Sequence, residues 1–182
     1  MPDYRRWFAP GGTYFFTLIA ENRAPIFRDP AGRSFLGEAM RAVRRERPFS
    51  TLAIVLLPDH IHCLWTLPSG DTDYSDRWKS IKSRFTENWL AAGGGEAGRS
   101  PSRLAKGERG VWQRRFWERS VRDEEELDRC CDYIHFNPVK HGHASRPGDW
   151  PWSSFRRFVR AGHYPADWGR QAPNGLPVNL GE

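Results

Sequence analysis

The order of hydrophobic periods along this 182-residue chain predicts an α+β fold, a ferredoxin-like βαββαβ antiparallel sheet with an additional C-terminal helix. Three observations carry that prediction. Short runs rich in aromatic and β-branched residues alternate with longer runs of helical period. Two of the strand-like runs are separated only by Pro58-Asp59, a tight turn. The last helical run begins with an acidic cluster suited to a helix N-terminus.

"TYFFTLIA" (13–20) reads as the first strand. In "RDPAGRSFLGEAMRAVRRERP", Asp29 caps a helix whose first position is Pro30. Phe35, Leu36, Ala39, Met40 and Val43 fall on one face of it, and Pro48 ends it. "FSTLAIVLL" (49–57) and "HIHCLWTL" (60–67) make a hairpin. "DTDYSDRWKSIKSRFTENWLAA" (71–92) is the second helix, with Trp78, Ile81, Phe85 and Trp89 as its buried stripe and Arg77, Lys79, Lys82 and Arg84 on the remaining surface.

Residues 93–110 show no hydrophobic period and read as a mobile, net-basic loop. "VWQRRFWERSV" (111–121) is the fourth strand. The last helix opens at 123 and is expected to stop near Asn137-Pro138, because proline disfavours helix in the residue before it. Leu127, Cys131 and Ile134 form its central stripe, and the aromatic, basic segment after it straps across the domain. Residues 1–168 read as a single domain and 169–182 as a loose tail.

The net charge of +6 favours a polyanionic partner, nucleic acid ahead of an anionic membrane. The three cysteines, Cys63 and the adjacent Cys130 and Cys131, suggest no disulfide framework, so a reducing cytoplasm fits. No apolar run approaches a membrane span, and the N-terminal residues lack the apolar core of a signal peptide.

Alternate residues of a strand share a face, so His60 and His62 stand side by side, with Ile61 and Cys63 opposite. Taken alone, such a pair reads first as two half-buried histidines with hydrogen-bond partners. It also suits a shared cation. Cys130 and Cys131 read as small buried groups, since adjacency is not zinc-knuckle spacing. On the last helix Tyr133 and Asn137 are four apart and share a face at one edge of the stripe. Alone, Tyr133 reads as a packing tyrosine. Together these groups describe a chemistry. A phenol, with its pKa of roughly 10, needs help to attack phosphorus. Two imidazoles and an amide oxygen suit Mg²⁺ or Mn²⁺ as a Lewis acid.

The segments "YRRWFAPGGTYFFT", "PDHIHCLW" and "WQRRFWERSVRDEEELDRCCDYIHFNPVKHG", in that order, resemble the REP-associated tyrosine transposases, a branch of the single-tyrosine HUH transposases. The likeness runs from Tyr4 to about Trp168. It implies that His60, Ile61 and His62 are the HUH metal motif, Tyr133 the nucleophile and Asn137 the third metal ligand, a position that is Gln in many relatives outside this branch. It further implies Mg²⁺- or Mn²⁺-dependent cleavage of single-stranded DNA beside a palindromic hairpin, leaving a 5′-phosphotyrosine and a free 3′-OH. Tyr4, Arg5 and Arg6 match the arm that reads bases near the hairpin foot. The set of candidate DNA contacts is completed by Arg77, Lys82, Arg84, Arg114, Arg115 and Lys140. Single-stranded or hairpin DNA is the expected partner of a cytoplasmic, nucleoid-associated bacterial protein, with no membrane and no nucleotide cofactor. Monomer and dimer stay open. So does a second reading, a hairpin-binding protein in which the chemistry is weak or absent. A histidine-triad hydrolase is disfavoured, because position 64 holds Leu where a third histidine is wanted.

Overall fold

The computed structural model describes residues 10–170, 172 and 173, so the arm with Tyr4, Arg5 and Arg6 and most of the tail lie outside the described residues. Strands β1 (Thr13–Ile19), β2 (Ser50–Leu56), β3 (His60–Thr66) and β4 (Trp117–Ser120) form one sheet. Its order is β2-β3-β1-β4, and every pairing is antiparallel. This is the expected ferredoxin-like order. Thr17 lies opposite His62 and Ile19 opposite His60 across the β1–β3 ladder.

Helices α1 (Pro30–Glu46) and α2 (Tyr74–Ala91) cover one face of the sheet. Asp29 accepts from the Ala31 amide at 2.8 Å and caps α1, with Pro30 in its first turn. Leu36, Ala39 and Val43 of α1 and Trp78, Ile81, Phe85 and Trp89 of α2 pack against Phe16, Leu18, Ile61, Cys63 and Trp65. Trp65 and Trp78 stack at 3.9 Å between ring centroids. Each such large side chain contributes about 1.5–3 kcal/mol of transfer free energy.

The other face is covered by α4 (Glu124–Lys140), which buries Cys130, Cys131, Tyr133 and Ile134 against Phe15, Ala53, Val55 and Leu64. Helix α4 does not stop at Asn137-Pro138. It continues to Lys140, with Pro138 inside it. Proline in a last turn forfeits one intrahelical bond, and the end is closed by the His141 amide on the Asn137 carbonyl at 3.0 Å. The buried band is also wider than a single stripe and includes His135 and Phe136, while Leu127 is only half-buried. The segment after α4 explains this, because it wraps the outer side of the helix. Helix α5 (Phe155–Arg160) and Tyr164 pack there against His135.

The same segment docks on the outer edge of the sheet. The Leu56 amide donates to the Trp152 carbonyl at 2.8 Å, and the Ser154 amide to the Ile54 carbonyl at 2.8 Å. The edge of β2 is thereby covered, the usual safeguard for an exposed edge strand.

Two further expectations are corrected. Strand β4 is four residues long, because 111–116 leave the ladder and bury Val111 and Trp112 in the α1/α2 core. Residues 93–110 are a folded element containing the short helix α3 (Pro101–Ala105). Arg103 is buried there and donates to Glu21 at 2.5 Å and to the Arg109 carbonyl at 2.7 Å, and Arg109 clasps Glu96. Ionic ties, not an apolar period, hold it down. Gly110 is required where it stands, since a Cβ would lie 2.2 Å from the Ala97 carbonyl oxygen. Among the described residues no helix is long and apolar enough to cross a membrane.

Candidate active site

Strand β3 turns His60 and His62 to the α4 face and sends Ile61 and Cys63 into the opposite core. The two imidazoles are 1% and 0% exposed, with centroids 4.8 Å apart. Each is oriented through Nδ1. His60 Nδ1 lies 2.6 Å from Asp59 Oδ1, and His62 Nδ1 lies 2.8 Å from Thr17 Oγ1. Burial works to raise the Asp59 carboxyl. The hydrogen bond and charge of His60, with Arg23 at 3.1 Å, outweigh it and hold the pKa at about 2. With Nδ1 engaged, Nε2 is the nitrogen each ring offers to a cation.

Helix α4 supplies the other half. The Tyr133 ring lies edge-on to His62 at 5.3 Å between centroids and meets Phe15 at 5.9 Å. Lys140 donates from Nζ to Tyr133 Oη at 3.2 Å and stands 4.8 Å from the ring centroid. Two turns beyond Tyr133, the His141 ring is 5.3 Å from His60. Tyr133, Asn137 and His141 follow at spacings of four, so Asn137, fully buried, falls between the contacts with His62 and His60.

Among the described residues no cluster of three or more His, Cys, Asp or Glu side chains could hold a metal ion. Asn137, fully buried on the Tyr133 face of α4, is the residue that would serve as third donor to a cation at the histidine pair. Two imidazoles and an amide oxygen fit a divalent ion that keeps its charge and open positions. The cysteines do not compete. Cys63 faces the other core, and burial pushes the Cys130 and Cys131 thiols up to about 12, where they stay protonated.

The proposed DNA contacts separate. Arg77 is 3% exposed, and its donors turn inward, to Asp71 at 2.5 Å, to the Pro48 carbonyl at 3.0 Å and to the Asp73 carbonyl. It ties α2 to the end of α1, so its expected place on the surface is corrected. Arg84 pairs with Glu46 at 2.7 Å and Arg114 with Glu108 at 2.5 Å. Lys82 donates to the Gln113 carbonyl at 2.6 Å, and burial, then the charge of Arg103, lowers its pKa to about 8. Arg115 is exposed. Lys79, Lys82, Lys106, Arg109, Arg114 and Arg115 line a cleft of about 750 Å³ beside α2, on the side of the sheet away from the histidines. Lys140 belongs instead to the tyrosine.

Asp59, Thr17, His141 and the placement of Lys140 are contacts of the candidate site that the sequence reading missed. Asp59 was legible only as a turn residue. Thr17 needs the cross-strand register to be seen. Lys140 and His141 lie on the Tyr133 face by helical spacing, a signal hidden by the expected stop at Pro138.

The family described as Transposase IS200 like matches residues 10–137, a span that holds both histidines, Tyr133 and Asn137. The chain is 42% identical over 168 residues to the REP-associated tyrosine transposase of Escherichia coli K12, covering 92% of this chain and 91% of that one. It is likewise 42% identical over 170 residues to a putative REP-associated tyrosine transposase of Haemophilus influenzae, covering 93% and 94%. A solved structure of a REP-associated tyrosine transposase bound to a REP hairpin superposes with a TM-score of 0.79 at 39% identity, over 99% of each chain. With a family match spanning most of its length and relatives alike from end to end, this chain belongs to the IS200-like transposases, in their REP-associated tyrosine branch.

Proposed function

We propose that this protein cleaves and rejoins single-stranded DNA beside a palindromic hairpin through a 5′-phosphotyrosine formed on Tyr133, with Mg²⁺ or Mn²⁺ held by His60, His62 and Asn137. The observation that carries the reading is the Tyr133 ring beside His62 within one chain, 5.3 Å between centroids. The bacterial cytoplasm, where such DNA lies, is the setting.

Tyr133 Oη attacks the scissile phosphorus. The new O–P bond forms as the bond to the 3′ oxygen breaks, the phenolic proton is lost to solvent and the departing oxygen takes one up as 3′-OH. A 3′-OH reverses the step by attacking the phosphotyrosine, so the bond energy is kept in the covalent link. Lys140, donating to Oη, stabilises the negative oxygen that attack requires. Asp59 and Thr17 fix the two imidazoles in orientation. A bound cation would supply Lewis-acid withdrawal of charge from a non-bridging phosphate oxygen. Lys79, Lys106 and Arg115 in the basic cleft suit phosphates of the hairpin stem.

A second reading, hairpin binding without cleavage, draws on the burial of Tyr133, which is 3% exposed. One experiment separates the two. Palindromes from the region flanking the protein's own gene, carrying single-stranded flanks, are incubated with Mg²⁺ or Mn²⁺, and covalent adduct is scored on a denaturing gel. Wild-type protein forms the adduct, and Tyr133→Phe loses it while still binding the hairpin. An adduct that survives the substitution removes Tyr133 as nucleophile. Binding with no adduct from wild-type protein leaves the second reading, and cleavage indifferent to EDTA removes the cation.

A further inference from the structure

A row of rings leads from the candidate active site to the protein surface. His141 stands 5.3 Å from His60, His143 stacks on His141 at 6.1 Å, Trp150 stacks on His143 at 5.6 Å, and Trp152 meets Trp150 edge-on at 4.9 Å. His60 is closed off, His141 and His143 are exposed, Trp150 is half-buried against the sheet, and Trp152, at the end of the row, is 40% exposed. Of the eight described tryptophans, Trp65, Trp78, Trp89 and Trp112 are buried and Trp117, Trp150 and Trp168 half-buried. Trp152 stands outside both cores, with the Arg33 guanidinium over its ring and Trp150 at its edge.

The row is fixed in place. Trp150 Nε1 donates to the Leu56 carbonyl at 3.0 Å, and the Trp152 carbonyl accepts from the Leu56 amide at 2.8 Å. The Trp150 indole and the Trp152 backbone are thus anchored to the edge of β2, one strand from the histidines. The flank of the row is cationic. The Arg33 guanidinium lies 4.3 Å over the Trp152 ring and is held by the Phe27 and Arg28 carbonyls at 2.7 and 2.8 Å. Arg28 is within electrostatic reach of His143, and Arg23 sits on Asp59 beside His60.

We propose that His143, Trp150 and Trp152 form a stacking platform for unpaired bases of the DNA strand next to the scissile phosphate, with Arg28 and Arg33 placed for its phosphates. The inference rests on the reading of the site as a single-strand DNA nuclease. Aromatic faces beside cations are how proteins hold single strands without reading their sequence, because every base presents a π-face. Continuity with His60 singles out the strand being cut. The stem of a hairpin, its bases already stacked in pairs, has nothing to offer an open indole.

The test uses the full chain carrying Tyr133→Phe, so that binding is measured without cleavage. Three oligonucleotides are compared: a palindromic hairpin from beside the protein's own gene, bare, with a 5′ single-stranded flank, and with a 3′ flank. 2-Aminopurine is placed at successive flank positions. Trp152→Ala should weaken binding of one flanked oligonucleotide at least about fivefold. It should leave the bare hairpin unchanged and restore the fluorescence of a quenched 2-aminopurine. Trp152→Phe should recover most of the affinity. Equal affinities of Trp152→Ala and its parent for all three oligonucleotides, with unchanged fluorescence, overturn the platform. So does an equal loss on bare and flanked hairpins. Flank quenching that depends on Trp152, together with no adduct from the protein that keeps Tyr133, keeps the platform and removes the cleavage chemistry instead.

Discussion

Lys140 makes two contacts with Tyr133, a hydrogen bond to its oxygen at 3.2 Å and a cation over its ring at 4.8 Å. The first strengthens most as the oxygen becomes negative, so the ammonium favours the attacking form over the resting one. A hydrogen bond to a charged group is worth about 1.5–3 kcal/mol. Lys140→Ala should therefore slow single-turnover adduct formation by about ten- to a hundredfold while hairpin affinity holds, and Lys140→Arg should recover part of the rate. An unchanged adduct rate in Lys140→Ala would leave the lysine with packing alone. The residues that sequence made legible here are those whose signal is a local period: His60 and His62 through strand alternation, Tyr133 and Asn137 through helical spacing. Thr17 and Asp59 were not legible, because their contacts exist only once β1 is registered against β3 and the hairpin turn is closed.

Among the elements, α1 and α2 read well because their apolar stripes and the Asp29-Pro30 start are local physics. The segment 93–110 read as a mobile loop because Arg103 and Arg109, not apolar side chains, pin it. The same ambiguity governs arginines on helices, where spacing tells which face a residue is on but not whether a carboxylate waits there. Arg77 and Arg115 separate the two cases. Arg77→Ala leaves Asp71 without its partner and strips acceptors at Pro48 and Arg47. A half-buried carboxylate and buried carbonyls that lose their donor cost about 1–3 kcal/mol, so the unfolding midpoint should fall, with hairpin affinity of the folded protein kept. Arg115→Ala should do the reverse. Stability holds, affinity drops for every sequence alike, and the slope of log affinity against log salt shrinks by about one. A salt slope equal to wild type would take Arg115 out of the phosphate contacts.

The whole molecule is layered. Helix α4 lies between the sheet and the C-terminal segment, so its outer face is buried as well as its inner one. His135 is on that outer face. Its Nε2 lies 2.8 Å from Ser154 Oγ, and its Nδ1 lies 3.3 Å from the Tyr164 hydroxyl, which donates to Asp132 at 2.8 Å. Ser154 also accepts from the Ile54 amide at 2.9 Å, so the chain of bonds joins α4, the C-terminal segment and β2. Burial, then the charge of Arg157, lowers the His135 pKa to about 3. An unfolded histidine titrates near 6.5. As pH falls from about 6.5 towards 3, the unfolded chain takes up a proton that the folded chain refuses, and stability declines by up to about 1.4 kcal/mol per pH unit. Asp132, raised by burial, works the other way, and His143, its pKa also lowered, adds to the decline, so the share of His135 is read from the difference between wild type and His135→Gln. Between pH 7.5 and 5 the contribution amounts to about 2 kcal/mol. Urea unfolding across that window should show the decline in wild-type protein. His135→Gln, which carries an amide and no titrating group, should start less stable at pH 7.5 and vary less with pH by about that amount. Parallel curves would mean that His135 takes up its proton in the folded state. The seal over α4 would then rest on the ring contacts of Phe155, Phe158 and Tyr164 and on the bonds of the C-terminal segment to β2.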